Sequence, residues 1–140
     1  MAIPAHLRLE FVTPERAIVH DDVEEVQIPG EDGYFGVLPG HAPMLAALRP
    51  GEMWYRKGAD KQYAFIAGGF AEVLPDRVAI LAEVAERAEE IDVQRAEAAK
   101  RRAEERLARP VNDIDFERAR IALLRAIARL EISRQARSRV

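Results

Sequence analysis

The chain has 140 residues, 49% of them apolar, with a net charge of -3 at pH 7 and no cysteine. That is enough apolar material for one ordinary domain or two small ones, and the lack of thiols excludes disulfide frameworks, thiolate catalysis and cysteine metal cages. No apolar run is long enough to span a bilayer, and Met1-Ala2-Ile3-Pro4 begins no signal peptide.

Leu7-Arg8-Leu9-Glu10-Phe11-Val12 alternates apolar and polar residues, as a half-buried strand does. Thr13-Pro14-Glu15 turns the chain. Ala17 to Val19, Val23 to Ile28, Tyr34 to Leu38 and Met44 to Leu48 are further short strands, divided by runs rich in Gly, Pro and Asp. Met53 to Arg56 and Gln62 to Ile66 flank Lys57-Gly58-Ala59-Asp60 as a hairpin. Gly68-Gly69 allows a bulge or a close backbone approach before Phe70 to Leu74, and Val78 to Leu81 reads as the last strand. Many short strands with regular turns predict an antiparallel β-sandwich.

From about Glu83 the composition shifts to Ala, Glu and Arg, which favour helix. Asp92 is placed to cap a helix beginning at Val93, and Arg109-Pro110-Val111-Asn112 interrupts the pattern. A second helix starts near Asp113, with Phe116, Ala119, Leu123, Ile127 and Leu130 on one stripe and Ile121, Leu124 and Ile132 beside it. The short break predicts an antiparallel hairpin in which Ala96, Ala99 and Ala103 allow close approach. The fold class is therefore α+β, with a sandwich over residues 1–85 and a two-helix hairpin over 86–140.

Charge is unevenly spread. Residues 1–82 hold 7 Lys+Arg against 12 Asp+Glu, and residues 83–140 hold 14 against 12; beyond Glu117, seven arginines face only Glu131. A basic tail on an acidic body suits an acidic partner surface or an anionic ligand. Nucleic acid fits poorly, because Phe116 is the only aromatic residue of the basic half.

Arg95, Arg102 and Arg106 follow i, i+7, i+11 and share one helix face, and Arg118, Arg125 and Arg129 repeat the spacing. Arg125 and Arg129 have no acid three or four residues away, and Arg102 has only Glu105. Two readings fit: a solvated face neutralised from the opposite helix, or a polyphosphate site built from arginine forks. Ile91-Asp92-Val93-Gln94-Arg95-Ala96 by itself reads as a capped helix start. Catalysis is poorly supplied. There is no phosphate loop of the G-x-x-x-x-G-K-[ST] kind, nothing singles out Thr13, Ser133 or Ser138 as a nucleophile, and His6, His20 and His41 lack metal-ligand spacing. Gly36 to Leu45 is dense in turn residues, as a tight connection or a rigid recognition loop would be.

Three segments, Asp32 to Pro43, Ala67 to Val73 and Ile91-Asp92-x-x-Arg95-Ala96, in this order and spacing, resemble the epsilon subunits of bacterial F-type ATP synthases. The resemblance covers essentially the whole chain. It implies a non-catalytic rotor subunit of the central stalk, whose sandwich binds the gamma subunit and the membrane c-ring and helps couple proton flow to ATP synthesis. The hairpin is expected to extend toward the catalytic beta subunits and inhibit ATP hydrolysis. No cofactor is expected, but ATP is implied as a regulatory ligand through Glu86, Ile91, Asp92, Arg95, Ala96, Arg102, Arg125 and Arg129. Ile91 and Asp92 would face the base and the arginines the phosphates. Tyr34, Leu38 and His41 are implied as the rotor-contact loop, where Tyr34 replaces an acidic residue common in the family. The alternative is a coupling and inhibitory subunit that binds no ATP and uses its arginines only for protein contacts. Either way it would sit at the cytoplasmic face of the bacterial inner membrane, associated only through the complex.

Overall fold

The first strand, β1 (Leu7–Val12), keeps the alternation of its sequence: Leu7, Leu9 and Phe11 are fully buried while Arg8, Glu10 and Val12 are half-buried. The fold is a computed structural model that describes residues 2–109 and 112–138. Seven more strands follow: β2 (Ala17–Val23), β3 (Glu25–Gly30), β4 (Gly33–Val37), β5 (Met44–Ala47), β6 (Gly51–Lys57), β7 (Asp60–Leu74) and β8 (Arg77–Arg87). They pair in the order β2-β1-β8-β7-β6-β3-β4, with β5 alongside β7. All pairings are antiparallel but one. β1 and β8 run parallel, with Leu9 opposite Val78 and Phe11 opposite Ile80. A parallel pair needs a long crossover, and here the intervening strands supply it.

The core joins Phe11, Ile28, Val37, Met53, Ile66 and Ile80 from both layers of the sandwich. β7 organises it. Its first half pairs with β6, its second half with β5, and β8 runs along most of its length. The two apolar segments read separately from the sequence form one strand of 15 residues, continuous through Gly68-Gly69. There is no bulge, since Ala67 opposite Val84 and Gly69 opposite Ala82 keep the same register. A close approach is present instead. Both glycines have positive φ, and a Cβ on Gly69 would lie 1.9 Å from the Leu81 carbonyl oxygen.

β8 also outruns its sequence signal. It continues to Arg87, through residues whose Ala-Glu-Arg composition favours helix, because β7 offers a paired edge from Ala64 to Ala67. Backbone pairing outweighs a propensity worth a few tenths of a kcal/mol per residue. Two compact units result, Met1–Arg87 and Ala88–Val140.

The second unit opens with a single 3-10 turn over Ala88–Glu90, followed by α1 (Val93–Ala108) and α2 (Asp113–Ser138). Asp92 caps α1: its Oδ1 accepts the Arg95 backbone N–H at 3.0 Å. Asn112 does the same for α2, accepting from the Asp115 N–H at 2.8 Å, and Asp113 and Asp115 lie in the first turn, where the helix dipole favours them. Pro110 and Val111, placed in the break by sequence, lie outside the described residues. The helices pack as an antiparallel hairpin. Ala96 and Ala103 are buried on α1, and Ala119, Ala126 and Ser133 at heptad spacing on α2. The stripe expected on α2 is thus shifted. Phe116, Ile121 and Leu124 are 42%, 40% and 46% exposed, because small side chains permit a closer approach than a row of large ones.

Candidate functional site

On an α-helix, Arg95, Arg102 and Arg106 stand roughly a quarter-turn from the Ala96–Ala103 line, and Arg118, Arg125 and Arg129 roughly a quarter-turn from the Ala119–Ala126 line. The offset has the same sense on both helices. Because the helices are antiparallel, both arginine rows border one side of the hairpin. Arg95, Arg102, Arg106 and Arg118 are exposed, whereas Arg125 and Arg129 are half-buried. Arg129 is already engaged in an interaction. The Arg125 Nε is buried without a hydrogen-bond partner, the one such side-chain atom among the described residues. A guanidinium N–H removed from water without an acceptor costs on the order of 1–3 kcal/mol.

The rest of the expected nucleotide set divides between roles. Ile91 and Ala96 are buried, at 8% and 4% exposure, and shape the apolar start of α1. Asp92 is exposed, with Oδ1 committed to the cap, which leaves Oδ2 free of that bond. Glu86 stands on β8 opposite Phe65, outside the helical unit, and is itself engaged. Within the helical unit, Ile91 and Asp92 precede α1, Arg95, Ala96 and Arg102 lie on it, and Arg125 and Arg129 lie on α2.

In the sandwich, the Tyr34 hydroxyl accepts the Glu52 backbone N–H at 3.2 Å, and the Arg49 guanidinium lies 5.7 Å from its ring centroid. Gly51 makes room for this, since a Cβ there would come within 2.7 Å of the hydroxyl. Leu38 is 54% exposed. The Gly40 N–H donates to the Pro75 carbonyl at 2.7 Å and the His41 N–H to the Leu38 carbonyl at 3.1 Å, so the loop is pinned to the β7–β8 turn. His41 Nδ1 lies 2.7 Å from the Ala42 carbonyl, which can only accept, and so carries the proton. Tyr34, Leu38 and His41 are therefore presented on a fixed frame.

Two features escape sequence reading. Leu45, Phe70 and Leu81 are exposed by 71%, 55% and 59% on the outer face of β5, β7 and β8. Phe70 is paired directly with Leu81 and adjoins Leu45 through the β5–β7 register. Their period-two phase marks them as outward, but only strand pairing shows that they form one patch. The second is a cleft on the other side of the hairpin, among Lys100, Ser133 and Arg134.

With this geometry in place, the comparisons are specific. Residues 6–88 match the ATP synthase delta/epsilon chain β-sandwich domain, and residues 89–134 match the long α-helix domain of the same chain. The chain belongs to the ATP synthase delta/epsilon chain family. Within it, the ATP synthase epsilon chain of Syntrophobacter fumaroxidans is 51% identical over 127 residues, covering 91% of this chain and 95% of that one. The epsilon chain of Solibacter usitatus is 50% identical over 128 residues, covering 91% and 96%. A chain of the Euglena gracilis mitochondrial ATP synthase, in an assembly of OSCP, F1 and c-ring, superimposes with a TM-score of 0.83 at 26% identity, covering 99% of this chain and 84% of that one. As an epsilon chain it is a non-catalytic central-stalk subunit, and no helix among the described residues is long and apolar enough to cross a membrane.

Proposed function

We propose that this epsilon chain couples rotation to ATP synthesis as part of the rotor and restrains ATP hydrolysis through a hairpin that senses ATP. The sandwich docks on the gamma subunit and the c-ring, using the framed loop of Tyr34, Leu38 and His41 and the apolar outer face. The hairpin closes on ATP with the phosphates on Arg95, Arg102, Arg125 and Arg129, and Ile91 and Asp92 toward the base; Ala96 and Glu86 complete the set. A ligand favours the folded hairpin only to the extent that it binds that state more tightly, so falling ATP frees the helices to meet acidic segments of the catalytic beta subunits. The subunit works at the cytoplasmic face of the bacterial inner membrane, held there by the complex.

The observation that supports the ATP reading is the pair of arginine rows, Arg95 and Arg102 on α1 and Arg125 and Arg129 on α2, bordering one side of the hairpin. Calorimetric titration of the full chain with ATP tests it: saturable binding is expected, sharply weakened in Arg125→Ala. Binding that the substitution leaves unchanged would falsify the site. The exposure of Arg95, Arg102 and Arg106 favours a second reading, in which the arginines serve protein contacts alone. It expects assembly and inhibition that are both indifferent to ATP.

A further inference from the structure

On the side of the hairpin away from the arginine rows, a cleft of about 420 Å³ opens between α1 and α2. Val93 and Leu130 give it an apolar wall. Lys100 from α1 and Arg134 from α2 line it from opposite helices, and Ser133 lines it as well. Ser133 is only 6% exposed and is the one buried polar residue among the described residues. As the third member of the Ala119–Ala126–Ser133 heptad it needs only to be small, and alanine would serve the packing better. Its hydroxyl has no hydrogen-bond partner among the described residues, and it is not sealed from solvent as the Arg125 Nε is, so it opens on the cleft.

The rim adds Arg101 and two carboxylates, Glu97 and Glu104. None of the five charged side chains lining the cleft forms an ion pair within 4 Å among the described residues. Glu97 and Glu104 stand three or four residues from Lys100 and Arg101 and soften their charge. Arg134 has no such neighbour in the cleft: the acid on its own helix, Glu131, is exposed and does not line it. The three cations against two carboxylates leave the cleft one net positive charge, least opposed at Arg134.

We propose that this cleft is a second anion site, for a small phosphate compound bridging Lys100 and Arg134 and accepting from the Ser133 hydroxyl. The guanidinium fork and the ammonium suit phosphate oxygens, and two cations contributed by two helices suit a diphosphate, whose charge is spread over two groups. The two rim carboxylates oppose the anion and keep the affinity modest. This site shares no residue with the ATP set and stands or falls independently of it.

The test titrates the full chain with inorganic pyrophosphate, which has no base for an ATP site to recognise, and follows backbone amide NMR shifts. Saturable shifts are expected at Lys100, Ser133 and Arg134. Arg134→Ala should weaken binding about tenfold, the loss of one charge-assisted contact. Glu97→Gln should tighten it, roughly threefold, by removing a like charge, an effect that a purely structural glutamate would not produce. Arg120→Ala, on the same helix as Arg134 but paired with Glu117 and outside the cleft, should leave it unchanged. No saturable shifts at Lys100, Ser133 and Arg134, affinity at these residues lost in Arg120→Ala, or no tightening in Glu97→Gln would each overturn the assignment.

Discussion

Replacing Arg125 with Met separates the cost of its buried Nε from its use. Met fills a similar length without a donor, so the orphaned N–H disappears. In the absence of ligand the hairpin should then be as stable as the parent or more stable, by up to about 1–3 kcal/mol, the usual cost of an unsatisfied buried donor. With ATP the order reverses. At ATP one hundred times its dissociation constant, the parent gains about 2.7 kcal/mol by mass action. If losing the fork weakens binding about a hundredfold, the variant gains only roughly 0.4 kcal/mol at the same concentration. Urea unfolding followed by helical circular dichroism, with and without ATP, gives all four values. An equal ATP-induced gain in the parent and the variant, or a variant less stable by several kcal/mol without ligand, would refute the reasoning.

Gly69→Ala should destabilise the sandwich by more than about 3 kcal/mol, since the added Cβ meets the Leu81 carbonyl and the φ of 104° is unfavourable to any other residue; denaturant titration measures it. Ala126→Leu should loosen the hairpin by about 1–3 kcal/mol through overpacking of a residue only 1% exposed, read as faster amide exchange along α1 and α2. The exposed Lys57–Asp21 contact holds the Asp21 carboxyl below its ordinary value and lifts the Lys57 ammonium above its own. The lowered acid contributes above its ordinary range and loses that contribution as pH falls through its folded pKa. The raised base contributes below its ordinary range and loses it as pH rises through its folded pKa. Comparing Asp21→Asn with the parent across pH should therefore show a small difference at neutrality that shrinks at both extremes. Tyr34→Phe should cost the sandwich about 1 kcal/mol by leaving the Glu52 N–H without its acceptor, measured by thermal unfolding.

Local signals were legible wherever a residue acts on its own neighbours. The alternation of Leu7 to Val12 is the burial pattern of β1, and Asp92 caps the helix that begins at Val93. Asn112 carries the same kind of local signal at the end of the Arg109–Asn112 break, where its side chain caps α2 by accepting the Asp115 N–H. The same logic placed the arginine rows on single faces, because helical spacing is a property of the chain alone.

What depended on distant partners was not legible. Gly68-Gly69 suggested a bulge or a close approach, and only the β7–β8 register excludes the bulge. The composition after Glu83 pointed to helix, and pairing with Ala64 to Ala67 made it strand. Leu45, Phe70 and Leu81 are far apart in sequence, and pairing across β5, β7 and β8 makes them one patch. Sequence alone carried the family resemblance, in three segments taken in order, and it carried the two kinds of secondary structure and the rows of charge, each of which rests on spacing within one segment. Tertiary structure decided that Arg125 is half-buried with an unanswered N–H and that Ser133 lines a cleft. Solvent access at a helical position is set by the surface packed against it, and spacing along a single helix carries no information about that surface.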